Sequence, residues 1–221
     1  MTLDLFGDAL DDPTDGLPAR EPLGPGALLL RRFARPREAE LLDAVDRVQA
    51  AAPLRHMVTP GGFRMSVAMT NCGALGWVSD LAGYRYDPID PDSARPWPAM
   101  PEAFRRLATE AAAAAGFEDF EPDACLVNRY VPGTRLSLHQ DRNERDMRQP
   151  IVSVSLGIPA MFQFGGDRRA DRPARVPLGH GDVVVWGGPS RLRFHGVLPL
   201  KEASHRLLGE SRINLTFRKA G

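Results

Sequence analysis

The sequence predicts an α+β protein in which early helices cover a jelly-roll (double-stranded β-helix) core, and three observations carry that prediction. Apolar residues recur at helical spacing twice before residue 116. After Pro122, short apolar runs alternate with Pro and Gly turns. Between the helices lies a stretch rich in Gly, Met, Trp, Tyr and Pro that has no long period. Helical and two-residue periodicities of this kind report which face of an element is buried.

In chain order, residues 1–25 are rich in Asp, Pro and Gly without periodic apolar positions and read as a loosely ordered leader. A single domain is expected over residues 26–221. It opens with a strand at Ala27-Leu28-Leu29-Leu30 and a helix from Pro36 to about Ala50, where Leu41, Leu42, Val45 and Val48 share a face. A second helix is expected from Pro101 to Ala115, with Phe104, Leu107, Ala108 and Ala111 inward and Gly116 as its stop. The segment between, about 55–98, reads as a lid or binding loop, because long irregular stretches in compact domains usually serve function. Strands are then expected across residues 122–221, at Ala124–Tyr130, Ser137–Gln140, Ile151–Leu156, Ala160–Phe164, Asp182–Trp186, Arg193–Val197 and Arg212–Arg218. Pro132-Gly133, Gly165-Gly166, Gly179-His180-Gly181 and Gly187-Gly188 punctuate them, the pattern of a sandwich or jelly roll.

Composition sets outer bounds. With 221 residues, 43% hydrophobic and 25% charged, the chain can bury a substantial core. No apolar run approaches the roughly 20 residues that span a bilayer. The acidic start Met1-Thr2-Leu3-Asp4 is unlike a secretory signal, and Cys72 and Cys125 suggest free thiols, so a cytoplasmic address is expected. Net charge is zero, which does not announce a nucleic-acid binder. All but two of the 28 basic residues (Lys201 and Lys219) are arginine, and they cluster at Arg135-Arg142-Arg145-Arg148 and Arg168-Arg169-Arg172-Arg175. Such clusters can face phosphates or can be solvated loop charges.

His139-x-Asp141 and the later His195 supply two imidazoles and a carboxylate. If they meet, they hold one face of a metal and leave the other open, as in non-haem Fe(II) oxygenases. On a strand, positions i and i+2 point together, which would align His139 with Asp141. Taken singly, such a pair arises readily by chance, and His195 reads as an ordinary core histidine. His180, inside Gly179-His180-Gly181, reads as a turn residue rather than a ligand. Arg212, Asn214, Thr216 and Arg218 share one strand face, with Ile213, Leu215 and Phe217 on the other. That is either a solvated edge or a polar ladder inside a barrel. Asn128 and Tyr130, paired in the same way after an apolar run, favour the ladder. Buried arginines then require an anionic occupant, such as a dicarboxylate reaching from metal to guanidinium.

At this point the chain resembles the AlkB family of Fe(II)- and 2-oxoglutarate-dependent dioxygenases, which repair alkylated nucleobases. The likeness runs through Leu3-Asp4-Leu5-Phe6, Met57-Val58-Thr59-Pro60-Gly61-Gly62, Met65 to Gly73 and Pro96 to Pro101. It continues through Leu136 to Asp141, Gly181 to Gly188 and Asn214 to Arg218. The resemblance implies a nucleotide-recognition lid and assigns His139, Asp141 and His195 to iron. It assigns Asn128, Tyr130, Arg212 and Arg218 to 2-oxoglutarate, with Asn214 on the same ladder. Arg212 would lie near the metal-chelating end and Arg218 at the distal carboxylate. It places Trp77, Tyr84 and Tyr86 on the lid, Trp77 stacking on the damaged base, and Arg169, Arg135 and Arg142 against substrate and backbone. The family motif has a second Asp two residues after the first. This chain has Asn143 there, an acceptor without charge, and it has Phe63 where a family tyrosine stands.

The implied reaction is oxidative demethylation of N1-methyladenine and N3-methylcytosine in single-stranded DNA, with double-stranded DNA and RNA as further substrates. It consumes O2 and 2-oxoglutarate, releases formaldehyde, and is expected of a monomer. Rival readings are an oxygenase acting on tRNA or a protein side chain, and a non-catalytic jelly-roll module binding a metal or metabolite.

Overall fold

The computed structural model describes residues 16–221. Residues 1–15, with Leu3-Asp4-Leu5-Phe6 and most of the expected leader, lie outside the described residues. The chain opens with β1 (Arg20–Gly24), β2 (Ala27–Leu30) and α1 (Glu38–Ala51). The inter-helix segment then holds β3 (Ala68–Gly73), β4 (Gly76–Asp80), β5 (Gly83–Asp87) and the short pair β6 (Ile89–Asp90) and β7 (Arg95–Pro96). Helix α2 (Glu102–Ala114) precedes β8 (Ala124–Tyr130), β9 (Leu136–His139), β10 (Ile151–Gly157) and β11 (Ala160–Phe164). Finally come β12 (Ala174–Leu178), β13 (Val183–Trp186), β14 (His195–Val197) and β15 (Arg212–Arg218).

Two antiparallel sheets make the core. The larger has the order β1-β2-β13-β10-β15-β8-β3 and the smaller β12-β11-β14-β9. The helices lie on the outer face of the larger sheet. Leu41, Val45, Phe104 and Leu107 pack there with Val152, Val154, Val183, Leu215 and Phe217, and the Phe104 and Phe217 rings meet edge-on at 5.8 Å. Between the sheets, Ile151, Phe162, Phe164, Val184 and Trp186 form a second apolar cluster. Because both faces of the larger sheet are covered, its central strands read as nearly continuous apolar runs, Val183-Val184-Val185-Trp186 being one.

Three expectations are corrected. Arg20–Gly24, placed in the leader, pairs with β2 and extends the sheet. Ala174–Leu178 is a strand on the edge of the smaller sheet. Within the presumed lid, β3 belongs to the core sheet and pairs with β8 along its length. Only the β4–β5 hairpin, the short β6–β7 pair and the loops around them stand apart. Directly opposed in the β3–β8 ladder are Cys72 and Cys125, both free and buried.

Candidate active site

The two histidines meet because β9 and β14 are neighbours. His139 and His195 are cross-strand partners in register, their rings 4.4 Å apart. The register slips between His195 and Val197, a bulge of the kind that re-aims side chains beside functional sites. Gly196 sits in the slip, and a Cβ there would stand 2.7 Å from the Leu136 carbonyl oxygen, so the close strand approach requires glycine. Each ring is held the same way. His139 Nδ1 bonds the Ser137 carbonyl at 2.9 Å and His195 Nδ1 the Arg193 carbonyl at 3.0 Å. A carbonyl only accepts, so both protons sit on Nδ1 and both Nε2 lone pairs are free for a metal.

Asp141 completes the group, though not by strand pleating. β9 ends at His139, and Asp141 lies in the loop beyond. The loop is fixed by Gln140, whose amide donates to the Leu192 carbonyl, and by Arg191, whose Nη1 donates to the Asp141 carbonyl at 2.7 Å. The carboxylate then stands 3.5 Å from His139 Nε2 and 3.7 Å from His195 Nε2. One ligand atom from each of the three lies within 4.8 Å of the others, close enough for one ion. Burial alone would raise the Asp141 carboxyl. The Arg218 guanidinium and the two imidazoles instead hold it well below its ordinary value. Burial, reinforced by the neighbouring His139, pushes His195 down to about 4, so it offers a neutral nitrogen at physiological pH. Two imidazoles, one carboxylate and an open side suit Fe(II).

All seven residues of β15 are buried, and the strand lies between β10 and β8, so its polar face is internal rather than a solvated edge. The structure reverses the expected order of its two arginines. Arg218 donates to Asp141 Oδ2 from Nη2 at 2.6 Å and from Nε at 3.0 Å, which puts it at the metal end. Arg212, six residues along, lies 5.0 Å over the Tyr130 ring and donates from Nη2 to Ser155 Oγ at 2.9 Å. Its Nε and Nη1 are buried without a partner among the described residues. Between them, Asn214 donates to Ser153 Oγ and the Val154 carbonyl, and its own Oδ1 accepts from Thr216 and, at 3.4 Å, from Asn128. Buried guanidinium nitrogens without a partner are costly, and a bidentate carboxylate is the group that satisfies them. A dicarboxylate such as 2-oxoglutarate therefore fits the residues present.

A cavity of about 1090 Å³ joins these parts. The metal-ligating group, both ladder arginines, Asn128, Tyr130 and Asn214 line it, as do Trp77 and Tyr84 of the β4–β5 hairpin. Trp77 and Tyr84 stack at 5.6 Å and 16°, and Asn71 anchors the Trp77 backbone with two 3.0 Å bonds. Arg135, Arg142, Asn143 and Arg169 also border the cavity. Arg169 is steered by the Leu138 carbonyl and lies 5.0 Å over the Phe194 ring. Tyr86 is the exception among the predicted residues. It does not line the cavity; its hydroxyl donates to Glu144 at 2.6 Å.

Sequence reasoning missed Ser153, Ser155, Glu144 and Arg191. The serines left a signal, being the only polar positions, two apart, in an otherwise apolar strand opposite the ladder. Glu144 and Arg191 form a buried ion pair at 3.0 Å between segments 47 residues apart, which no local pattern announces. His180 is no ligand. Its Nδ1 accepts from the Gly157 amide and its Nε2 bonds Glu38, each at 2.9 Å.

Comparison with known proteins agrees with this geometry. Residues 26–218 match the family model of the 2OG-Fe(II) oxygenase superfamily. The alpha-ketoglutarate-dependent dioxygenase AlkB of Escherichia coli is 58% identical over 219 residues, 99% of this chain and 98% of that protein. The human nucleic acid dioxygenase ALKBH1 is 36% identical over 124 residues, 56% of this chain and 31% of that protein. The solved structure of OsALKBH1 superposes with a TM-score of 0.76 at 29% identity, covering 90% of this chain and 99% of that one. The chain therefore belongs to the AlkB family within the 2OG-Fe(II) oxygenase superfamily, and is a dioxygenase that uses Fe(II), 2-oxoglutarate and O2.

Proposed function

We propose that the protein demethylates N-alkylated bases in single-stranded DNA, and in RNA as a second substrate, with N1-methyladenine and N3-methylcytosine foremost. The observation that carries this reading is one cavity with a metal-competent His-Asp-His group in its wall and a stacked Trp77–Tyr84 pair on its lid hairpin. That a human relative is named a nucleic acid dioxygenase supports the substrate class.

In this reading His139, Asp141 and His195 hold Fe(II). Arg212, with Tyr130, Asn128 and Asn214, holds the distal carboxylate and body of 2-oxoglutarate, and Arg218 steadies the metal end through Asp141. Bound together, the cofactors and O2 supply the oxidation that hydroxylates the N-methyl carbon as 2-oxoglutarate becomes succinate and carbon dioxide. The hydroxymethyl product then loses formaldehyde without a dedicated protein acid. The chain's task is positioning. Trp77 offers a face on which an extruded base stacks, since a base cannot be reached inside a duplex. The Asn143 amide oxygen accepts from an exocyclic amino group, and Arg135, Arg142 and Arg169 meet the phosphates. Phe162 and Trp186 keep the wall behind His195 apolar. Residues 26–221, extended by β1, act as one domain, a monomer of the cytoplasm, with the lid within 55–98.

The test is anaerobic reconstitution with Fe(II) and 2-oxoglutarate, then air and a single-stranded oligonucleotide carrying N1-methyladenine. Loss of one methyl mass, absent in His139→Ala, is expected. Turnover of 2-oxoglutarate with no mass loss on DNA or RNA would reassign the substrate, a protein side chain being the next to try.

A further inference from the structure

Tyr86 belongs to the lid hairpin yet does not line the cavity; its hydroxyl reaches into a buried chain of charges that ends at Asp141. Its hydroxyl donates to Glu144 Oε1 at 2.6 Å. The same oxygen stands 3.4 Å from Arg218 Nε, and Glu144 Oε2 accepts from Arg191 Nη2 at 3.0 Å. Arg218 in turn grips the Asp141 carboxylate, and Arg191 grips the Asp141 backbone carbonyl. Glu144 is 6% exposed and Arg191 3%, so these contacts are shielded from water and salt. Hydrogen bonds to an ionised acceptor in such surroundings are among the strong ones.

We propose that Tyr86 is a positioning residue for the metal centre, acting through Glu144 and Arg218 to couple the β4–β5 hairpin to Asp141. Asp141 lies in a loop, not on a strand, so its carboxylate is located by its partners and not by the sheet. Those partners are Arg218 and Arg191, and both lean on Glu144. Glu144 is fixed from the lid side by Tyr86. A cation at the triad takes up part of the Asp141 charge, which frees part of the Arg218 guanidinium for Glu144 and tightens the anchor under the hairpin. Linkage makes the effect reciprocal: whatever loosens the hairpin's anchor weakens the cation. Removing the partner of a metal-ligating residue typically costs about 10- to 100-fold in metal affinity.

The inference rests on reading Asp141 as a metal ligand, and the experiment separates the two. Mn(II) binding is measured on the full chain without O2, alongside hydrogen exchange of the β4–β5 amides with and without Mn(II). Tyr86→Phe removes one oxygen and keeps the ring, so the fold survives. The expected result is that Mn(II) slows exchange in the wild-type hairpin. In Tyr86→Phe that protection is lost and Mn(II) binds measurably more weakly, by less than the roughly 10-fold loss typical of a direct partner of a ligand. Wild-type affinity together with wild-type metal-dependent protection in Tyr86→Phe would overturn the proposal while leaving the metal site intact. Equal Mn(II) binding by wild type and His139→Ala would overturn the metal site itself, and the coupling with it.

Discussion

Arg212 is a guanidinium with two buried nitrogens that no described residue satisfies, and that single fact gives two opposed expectations. Replacing it by methionine removes a buried cation that Ser155 and the Tyr130 ring compensate only in part, so the ligand-free protein should melt no lower than wild type. The same change removes the group that would clamp a carboxylate. The apparent affinity for 2-oxoglutarate should fall about 10- to 100-fold, from hydrogen bonds to a charged group worth about 1.5–3 kcal/mol. Melting curves with and without 2-oxoglutarate and Mn(II) read both at once; a variant that loses stability but keeps the ligand shift would contradict the assignment. Asn143 gives the second expectation. An amide accepts a hydrogen bond but does not complement a cationic methylated base. Asn143→Asp should therefore raise turnover of cationic relative to neutral lesions, and an unchanged ratio in a competition assay would refute it.

Among the elements, β15 was the most legible. Its polar and apolar residues alternate without a break, and both faces proved to be buried, one on the helices and one on the cavity. Two strands that sequence reasoning missed, β1 and β12, lie at sheet edges and contain Pro22 and Pro177. Proline and charge are tolerated there because an edge strand pairs on one side only, so its sequence need not look like a strand. The β4–β5 hairpin falls within the segment expected to be a lid, and its stack makes a measurable claim. Trp77→Ala should weaken binding of a methylated oligonucleotide by about 1–3 kcal/mol, read by fluorescence titration, while Mn(II) affinity stays at the wild-type value. Loss of metal binding in that variant would mean that the hairpin holds up the core as well as the substrate.

Across the whole molecule, the response to acid is set partly far from the active site. His180 lies buried where α1 meets the turn before β13, facing Glu38, Arg35, Arg206 and His205. Burial lowers its affinity for a proton below the ordinary histidine value, and Glu38 opposes this without reversing it. The folded state thus holds a neutral ring that the unfolded chain protonates below about 6.5. Stability is therefore greatest above that value and falls as pH drops through it, because the unfolded state binds the extra proton. His180→Asn can keep the bond from the Gly157 amide without titrating. Its urea midpoint should fall less than that of wild type between pH 7.5 and 5.5; parallel falls would place the acid sensitivity elsewhere. Among the described residues no helix is long and apolar enough to cross a membrane.

Residue type and spacing alone pointed to the jelly-roll core, the two covering helices and the polar ladder, which are written in local periodicity because that depends only on which face of an element is buried. The three metal-competent residues were candidates by type, singled out by the family resemblance and brought together by the β9–β14 pairing and the loop that follows β9. The order of the two arginines along the ladder could not be read from periodicity, since both lie on the same face at equivalent positions. Only tertiary packing set Arg218 against Asp141 and left Arg212 beside Tyr130. The contact of Tyr86 was illegible for the same reason: its partner Glu144 is 58 residues away, and the two meet only because the hairpin folds back over the loop after β9. Periodicity tells which way a side chain points, whereas its partner is fixed by contacts between distant segments that the folded chain alone brings together.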